Sequence, residues 1–337
     1  RRLRFKPSQA AFPGGNQMTI QIPDKLPINS GGYKKIIFGP KTSGIIPRGL
    51  TIVSVVIIFS MLAVILFDVF FHGAGIISWD FLTKAPEEGM TAGGIFPAIF
   101  GTVALVILMV IAVVPIGVLT AVYLHEYTSS TSIWMRLIRQ AINNLAGVPS
   151  IVFGLFGLGF FINFIGGTLD EMFYDASSPV WRQPGILWAA LTLSLLTLPV
   201  VIISTEEALR TIPQDIKDAS LALGATKLQT IKRVILPQAM PGILTGAILA
   251  VNRGAGEVAP IMFTGVAYFL PYLPHKLNEQ FMHLGNHVYV LATQSPDVEA
   301  TKPLLYGTVL VLLILTFMLN FAAILLRSKM RRRRVHG

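Results

Sequence analysis

The sequence predicts an all-α integral membrane protein with six transmembrane helices. Three observations predict it. Hydrophobic residues make up 53% of the 337 and charged residues only 13%, against about 25% charged in soluble domains, and the mean hydropathy is +0.65. The apolar residues gather into runs long enough to cross a bilayer, for which a helix needs roughly 20 residues. No stretch carries the alternation of a membrane β-strand, so helices are left as the way to pair every backbone group in lipid.

Residues 1–44 mix Pro, Gly and basic residues without periodicity, which predicts a poorly ordered tail with no signal-peptide core. A membrane domain over 45–327 follows, with spans at 46–71, 95–123, 141–166, 186–203, 242–267 and 303–326. Asp68 falls near the outer end of the first span, where a structural role is expected. In the third, Pro149 between Gly147 and Gly154 predicts a kink that exposes backbone near Ser150. Asn143 and Asn144 are expected to hydrogen-bond between helices.

The net charge of +10 is distributed by topology. Of the 27 Lys and Arg, 9 lie in 1–48, 2 in 124–140, 5 in 204–241 and 6 in the C-terminal tail. The alternate loops hold Lys84, Arg182, Lys276 and Lys302. The positive-inside rule therefore places both termini in the cytoplasm. The basic run from Arg327 to Arg334, including the tail 328–337, reads as a topology anchor beside the lipid bilayer, and no nucleic-acid partner is expected. The chain has no cysteine, which excludes disulfides, thiolate metal sites and cysteine nucleophiles.

The polar loop 204–241 reads as a helical hairpin. Thr211 is placed to cap a helix starting near Pro213, with Ile216, Ala219 and Leu223 on one face and Gly224 as its stop. Thr226 starts a second helix with Leu228, Ile231 and Ile235 as its apolar stripe, and Pro237 ends it. Such a hairpin can present a rigid helix to a soluble partner, or it can lie at the membrane interface with none. Glu206 and Glu207 are expected to solvate the boundary of this loop.

In the fifth span Gly242, Gly246, Ala250 and Gly254 recur every four residues, a small-residue stripe expected to pack at a protein interface. Beside it Arg253 and Glu257 are four apart, which predicts one helix face and an ion pair. An intramembrane charge costs about 2.5 to 3.5 kcal/mol on insertion scales, so such residues face a partner or a water-filled path. The pair is either self-satisfied or a station for an anion, with Arg253 offering a planar fork of donors and Glu257 preventing permanent capture. His275, His283 and His287 read as solvated loop histidines rather than a metal site, with Glu279 the nearest acid. No phosphate-binding Gly-rich loop, nucleophile elbow, zinc pair or dinucleotide turn occurs, so the chain is not expected to catalyse a reaction or bind a cofactor.

The run Asp218-Ala219-Ser220-x3-Gly224-x9-Val234-x-Leu236-Pro237 resembles the Glu-Ala-Ala-x3-Gly-x9-Ile-x-Leu-Pro signature of permease subunits in ATP-binding-cassette importers. The resemblance implies a type I ABC-importer permease fold with a cytoplasmic coupling helix. Asp218, Ala219, Ser220, Leu221, Ala222, Leu223 and Gly224 inherit the coupling role from it. A narrower likeness lies in Asn252-Arg253-Gly-Ala-Gly256-Glu257-Val258-Ala259-Pro260, which is similar to the Arg-x-x-Gly-Glu-Thr-Ala-Pro segment of A-type permeases of bacterial phosphate importers, with Val258 in place of Thr. Gly147-Val-Pro149-Ser150-Ile-Val-Phe-Gly154 is similar to a segment of the same family's third span. The likeness runs over 45–330. It implies a pathway at Asn252, Arg253 and Glu257, a second, C-type permease, an ATPase dimer that uses ATP and Mg, an external phosphate-binding protein, and a bacterial inner membrane. A permease for sulfate, molybdate or a polyamine, or a membrane sensor, are the rival readings.

Overall fold

The structure is a computed structural model that describes residues 44–87, 92–128, 132–174, 179–295 and 297–335. The tail predicted over 1–44 lies outside these residues except for Gly44. The chain divides into two compact units, Arg1–Ser60 and Met61–Gly337. The described part of the first is the opening half of helix α1 (Ile45–Gly73), and everything below concerns the second.

Six helices among the described residues are long and apolar enough to cross a membrane. They are α1, α3 (Phe96–Tyr127), α5 (Ser150–Phe173), α6 (Ile186–Arg210), α8 (Lys227–Gly256) and α10 (Val298–Val335). Between them lie four short helices, α2 (Trp79–Thr83), α4 (Ile133–Leu145), α7 (Gln214–Ala222) and α9 (Leu284–Thr293). Two-residue strands β1 (Pro86–Glu87) and β2 (Ala92–Gly93) pair antiparallel, and an isolated parallel bridge joins Val266 to Phe281. Ser78 caps α2 by accepting the Phe81 amide at 3.1 Å, and Pro97 opens α3, where a missing N–H costs nothing.

Helix α6 is the axis of the packing, with α3 on one side and α8 on another. Leu193, Leu196, Val201 and Leu209 on it are fully buried. Lipid is as apolar as leucine, so helices associate there by close contact rather than by escape from water. Small residues supply that contact. A Cβ on Gly117 of α3 would lie 2.7 Å from Val201, and one on Gly242 of α8 would lie 2.2 Å from the Ala208 Cβ. The end of α1 is fixed to α10, where Tyr306 donates to Asp68 at 3.0 Å and His72 lies 3.1 Å from the same carboxylate. Asp68 is thus an internal tie. Large apolar side chains on the remaining faces, such as Phe67, Ile107, Ile111, Phe164 and Phe317, are exposed as a lipid-facing surface requires.

The spans expected over 186–203 and 303–326 are longer, and two others differ more deeply. The stretch 141–166 is not one helix with a kink. An amphipathic α4 ends at Leu145, Pro149 stands before the first turn of α5 at φ −57° and ψ 138°, and α5 runs on to Phe173. Proline biases the residue ahead of it away from the helical region, so Pro149 separates two helices instead of bending one. The span predicted over 242–267 starts earlier and stops sooner, as α8 runs unbroken from Lys227 to Gly256. Pro237 does not end the preceding element. The turn before it, Ile231–Ile235, is widened to π geometry, with the Leu236 amide bonded to the Ile231 carbonyl, and the wider winding accommodates the proline.

Candidate functional site: a charged helix end and a docking loop

Helix α8 stops at Gly256, and Glu257 takes an extended conformation at φ −80° and ψ 131°. Gly254 and Gly256 weaken the last turn, and Pro260 prevents its continuation. The chain then winds irregularly through 257–267. Pro260 packs against Gly154 of α5, where a Cβ would come within 2.9 Å of its Cα. Gly185 ahead of α6 donates to the Thr264 carbonyl at 3.0 Å, and Ala267 pairs with Phe281 at 2.8 Å. From Pro260 onward this irregular backbone is tolerated at membrane depth because much of it is covered by protein.

Arg253 lies in the last helical turn and Glu257 just past it, so the two do not share a helix face as predicted. They pair even so, with Nε 3.7 Å from Oε1. That distance is an ion pair and too long for a hydrogen bond. Their side chains are 33% and 22% exposed, and Asn252 beside them is exposed. Among the described residues Arg253 has no other charged partner, so the ends of its guanidinium remain free to donate. A cation in the last turn also offsets the partial negative charge of the helix end, which would otherwise repel an anion.

The small-residue stripe of α8 faces inward rather than toward another protein. Gly242 and Gly246 lie against Ala208 and Ser204 of α6, Ala250 is fully buried, and a Cβ on Gly254 would lie 2.4 Å from the Met109 sulfur of α3. Arg253 is thereby fixed to the central helices of its own chain.

The predicted hairpin is one helix and the beginning of a span. Thr211 does not cap α7, because its hydroxyl donates back to the Ala208 carbonyl at 2.8 Å and closes α6. Gly224 stops α7 as predicted, with φ 85°. Its amide bonds Leu221 at 2.9 Å while the Ala225 amide bonds Ser220 at 3.3 Å, the paired bonds of a Schellman stop. Thr226 and Gln229 then form a reciprocal capping box that opens α8. Of the coupling residues, Asp218, Ala219, Leu221, Ala222, Leu223 and Gly224 are exposed and Ser220 is half-buried, bonded to Thr230 at 2.9 Å. Ile216 is 37% and Leu223 89% exposed, so the apolar face of α7 points away from the protein. Ile231 and Ile235 are buried, whereas Leu228 is exposed.

Sequence reasoning missed what lies beneath α7. Lys217 is buried and its Nζ donates to Glu126 at 2.6 Å and to His125 at 3.3 Å, both in the last turn of α3. Lys227 donates to the Glu126 carbonyl and stands 4.6 Å above the Tyr127 ring. The signal available was a lysine on the flank of α7 opposite its apolar face. Glu206 is a correction of the same kind. It does not solvate a boundary but is buried between Arg139 of α4 and Arg210, the latter at 3.1 Å, beside a cavity of about 220 Å³ that Asn143 and Glu207 also line.

His283 and His287 are a third correction. Only His275 is exposed, and the other two are buried at the start of α9, where His283 accepts the Gly285 amide at 3.2 Å. His283 Nε2 and His287 Nδ1 have no partner. Burial lowers both rings to about 4. Glu279 accepts the amides of His275 and Lys276, which hold its carboxyl below the usual range.

Residues 113–333 match the family described as binding-protein-dependent transport system inner membrane component. The chain belongs to that family. It is the permease of an ABC importer, a multi-pass inner-membrane protein whose family supplies a non-catalytic subunit and works with a binding protein. The permease is 35% identical to the phosphate transport system permease protein PstA 1 of Mycobacterium tuberculosis (strain ATCC 25618 / H37Rv) over 74% of each chain. It is 33% identical to the probable ABC transporter permease protein YqgI of Bacillus subtilis (strain 168), over 75% of this chain and 84% of that one. With PstA of Haemophilus influenzae the identity is 30%, over 86% of the permease and 95% of its relative. A solved bacterial alginate ABC transporter shares the fold, with a TM-score of 0.58 over 86% of this permease and 94% of that chain at 16% identity.

Proposed function

We propose that this permease forms half of the pathway of an ATP-driven importer of inorganic phosphate. The observation that carries the proposal is Arg253, a guanidinium with free donors at the broken end of α8, in loose contact with Glu257. A guanidinium suits a tetrahedral oxyanion because its planar fork can bond two oxygens at once. Glu257 competes for the same donors, which keeps the ion from being held too long to pass. Exposed Asn252 adds an amide to the same path. The names of three relatives of 30 to 35% identity support phosphate over other oxyanions for two and an ABC permease role for the third.

The exposed apolar face of α7 supports a docking role for Asp218 to Gly224 on an ATPase subunit. In this reading a dimer of ATPases binds and hydrolyses ATP with Mg, a related C-type permease supplies the other half of the path, and an external binding protein delivers the ion. Both termini and the loop holding α7 lie in the cytoplasm, following the distribution of Lys and Arg. ATP drives transport through its differential affinity for the two states of the complex.

The test is ATP-dependent uptake of labelled phosphate by vesicles holding the whole complex, with sulfate as competitor. The intact complex is expected to take up phosphate in the presence of excess sulfate. Arg253→Gln, with assembly checked, is expected to lose about 10- to 100-fold, the value of a charged hydrogen bond. Unchanged uptake in that variant would make the pair structural, and inhibition by sulfate would redirect the assignment to that anion.

A further inference from the structure

We propose that the Glu126–Lys217 ion pair is the joint through which movement of α7 reaches Arg253, with α3 as the rod between them. The proposal rests on the reading of α7 as the ATPase-docking helix. Asp215 and Asp218 of α7 are exposed, while Lys217 is turned inward. Lys217 and Glu126 side chains are each 10% exposed and 2.6 Å apart. Removing both charges from water costs several kcal/mol per ion, and apolar side chains would join the same elements without that cost. An ion pair adds fixed register, so that one helix cannot slide on the other.

The loop is held to the same turn once more, and α7 is tied to α8 as well. Lys227 bonds the Glu126 carbonyl, and Ser220 on α7 bonds Thr230 on α8 at 2.9 Å. Both ends of the Gly224 stop are therefore fastened to residues 123–127, and α7 cannot shift without shifting the end of α3. That turn has π geometry, the winding often found where a helix is put to use. From Glu126 the helix runs about 25 Å to Met109. There the Met109 sulfur lies against Gly254, the residue after Arg253, and Ser194 of α6 donates to the Met109 carbonyl at 3.1 Å. A displacement at Glu126 thus arrives beside the charged helix end along one continuous helix, which passes Pro115 on the way.

The chain has no cysteine of its own, so Leu249→Cys, at an exposed position one turn before Arg253, takes a single fluorophore before assembly with the ATPase. In the complete complex three quantities are read: ATP hydrolysis, the change in label emission on adding ATP, and phosphate uptake. Glu126→Gln and Lys217→Met are expected to keep hydrolysis within about twofold while the label response and uptake each fall about tenfold, a typical coupling magnitude. The reversed pair, Glu126→Lys with Lys217→Glu, is expected to recover at least about a third of the response. A full label response in the single variants overturns the proposal, as does hydrolysis that falls in step with the response. If a single variant fails to assemble, the reversed pair decides, and absence of a response from it overturns the joint. An intact complex whose label responds while no phosphate enters counts against phosphate alone.

Discussion

A side chain at Gly224 would meet no atom within 4 Å, yet φ there is 85°. The cost of Gly224→Ala is therefore conformational and not steric, about 1 kcal/mol. It falls on the end of the docking helix, so the affinity of the permease for the ATPase is expected to drop about fivefold while the thermal unfolding of the membrane helices stays unchanged. At the other charged site, Glu257→Gln removes the competitor for Arg253. Phosphate should then bind more tightly and leave more slowly, seen as a lower KM together with a lower kcat for uptake. The buried histidines give a pH signature. Their rings are lowered from 6.5 to about 4 by burial, so the stability they support is complete above about pH 6.5 and is lost as pH falls toward 4, when the folded rings must charge. The loss is on the order of 3 kcal/mol per ring. Unfolding temperatures of the solubilised chain at pH 7.5 and pH 4.5 would show it, and His287→Asn should lose less on acidification than the intact chain.

Among the elements, α8 carries the most information and was the least well delimited in advance. Its small-residue stripe was visible as a four-residue repeat, but the pattern says only that a helix comes close, not whose helix. Ala208, Ser204 and Met109 of the same chain fill that role. Gly242→Val is accordingly expected to lower stability by about 1 to 3 kcal/mol through overpacking, measured by thermal unfolding in detergent. Gly159→Ala, where nothing lies within 4 Å, is the control and should be neutral or mildly stabilising. The proline rules failed twice in opposite directions. By sequence Pro237 is a stop and Pro149 a kink, but the first is passed by a widened turn and the second separates two helices. Hydropathy sets Pro149 in an apolar run and Pro237 in a polar loop, and neither placement shows whether a helix passes the proline. The hydrogen-bond pattern of neighbouring turns decides.

For the whole molecule, the number of spans and the Gly224 stop were legible, because each depends on composition or spacing along one element, and the four-residue spacing of Arg253 and Glu257 foretold their pairing although the helix ends between them. The Lys217–Glu126 pair joins residues 91 apart in sequence, and the Glu206–Arg139 pair likewise joins different helices. Nothing local in the sequence announces such partners. The same holds for His283 and His287, whose neighbours Leu284 and Asn286 are bonded to Thr102 of α3 and to Ala267. Burial made them structural where exposure would have left them solvated.

The early end of α8 has one more consequence. Beyond Gly256 the backbone bonds become sparse: the Glu257 amide reaches Gly254 at 3.3 Å, and among the described bonds the amides of Val258 and Ala259 donate to none. These groups are only partly covered, and unpaired amides at membrane depth need a partner. Those two amides must therefore be met by water or by another polar group. In hydrogen–deuterium exchange Val258 and Ala259 should label within seconds while Ala250 stays protected for hours, and slowing of that fast pair on addition of phosphate would turn two silent amides into a meter of occupancy.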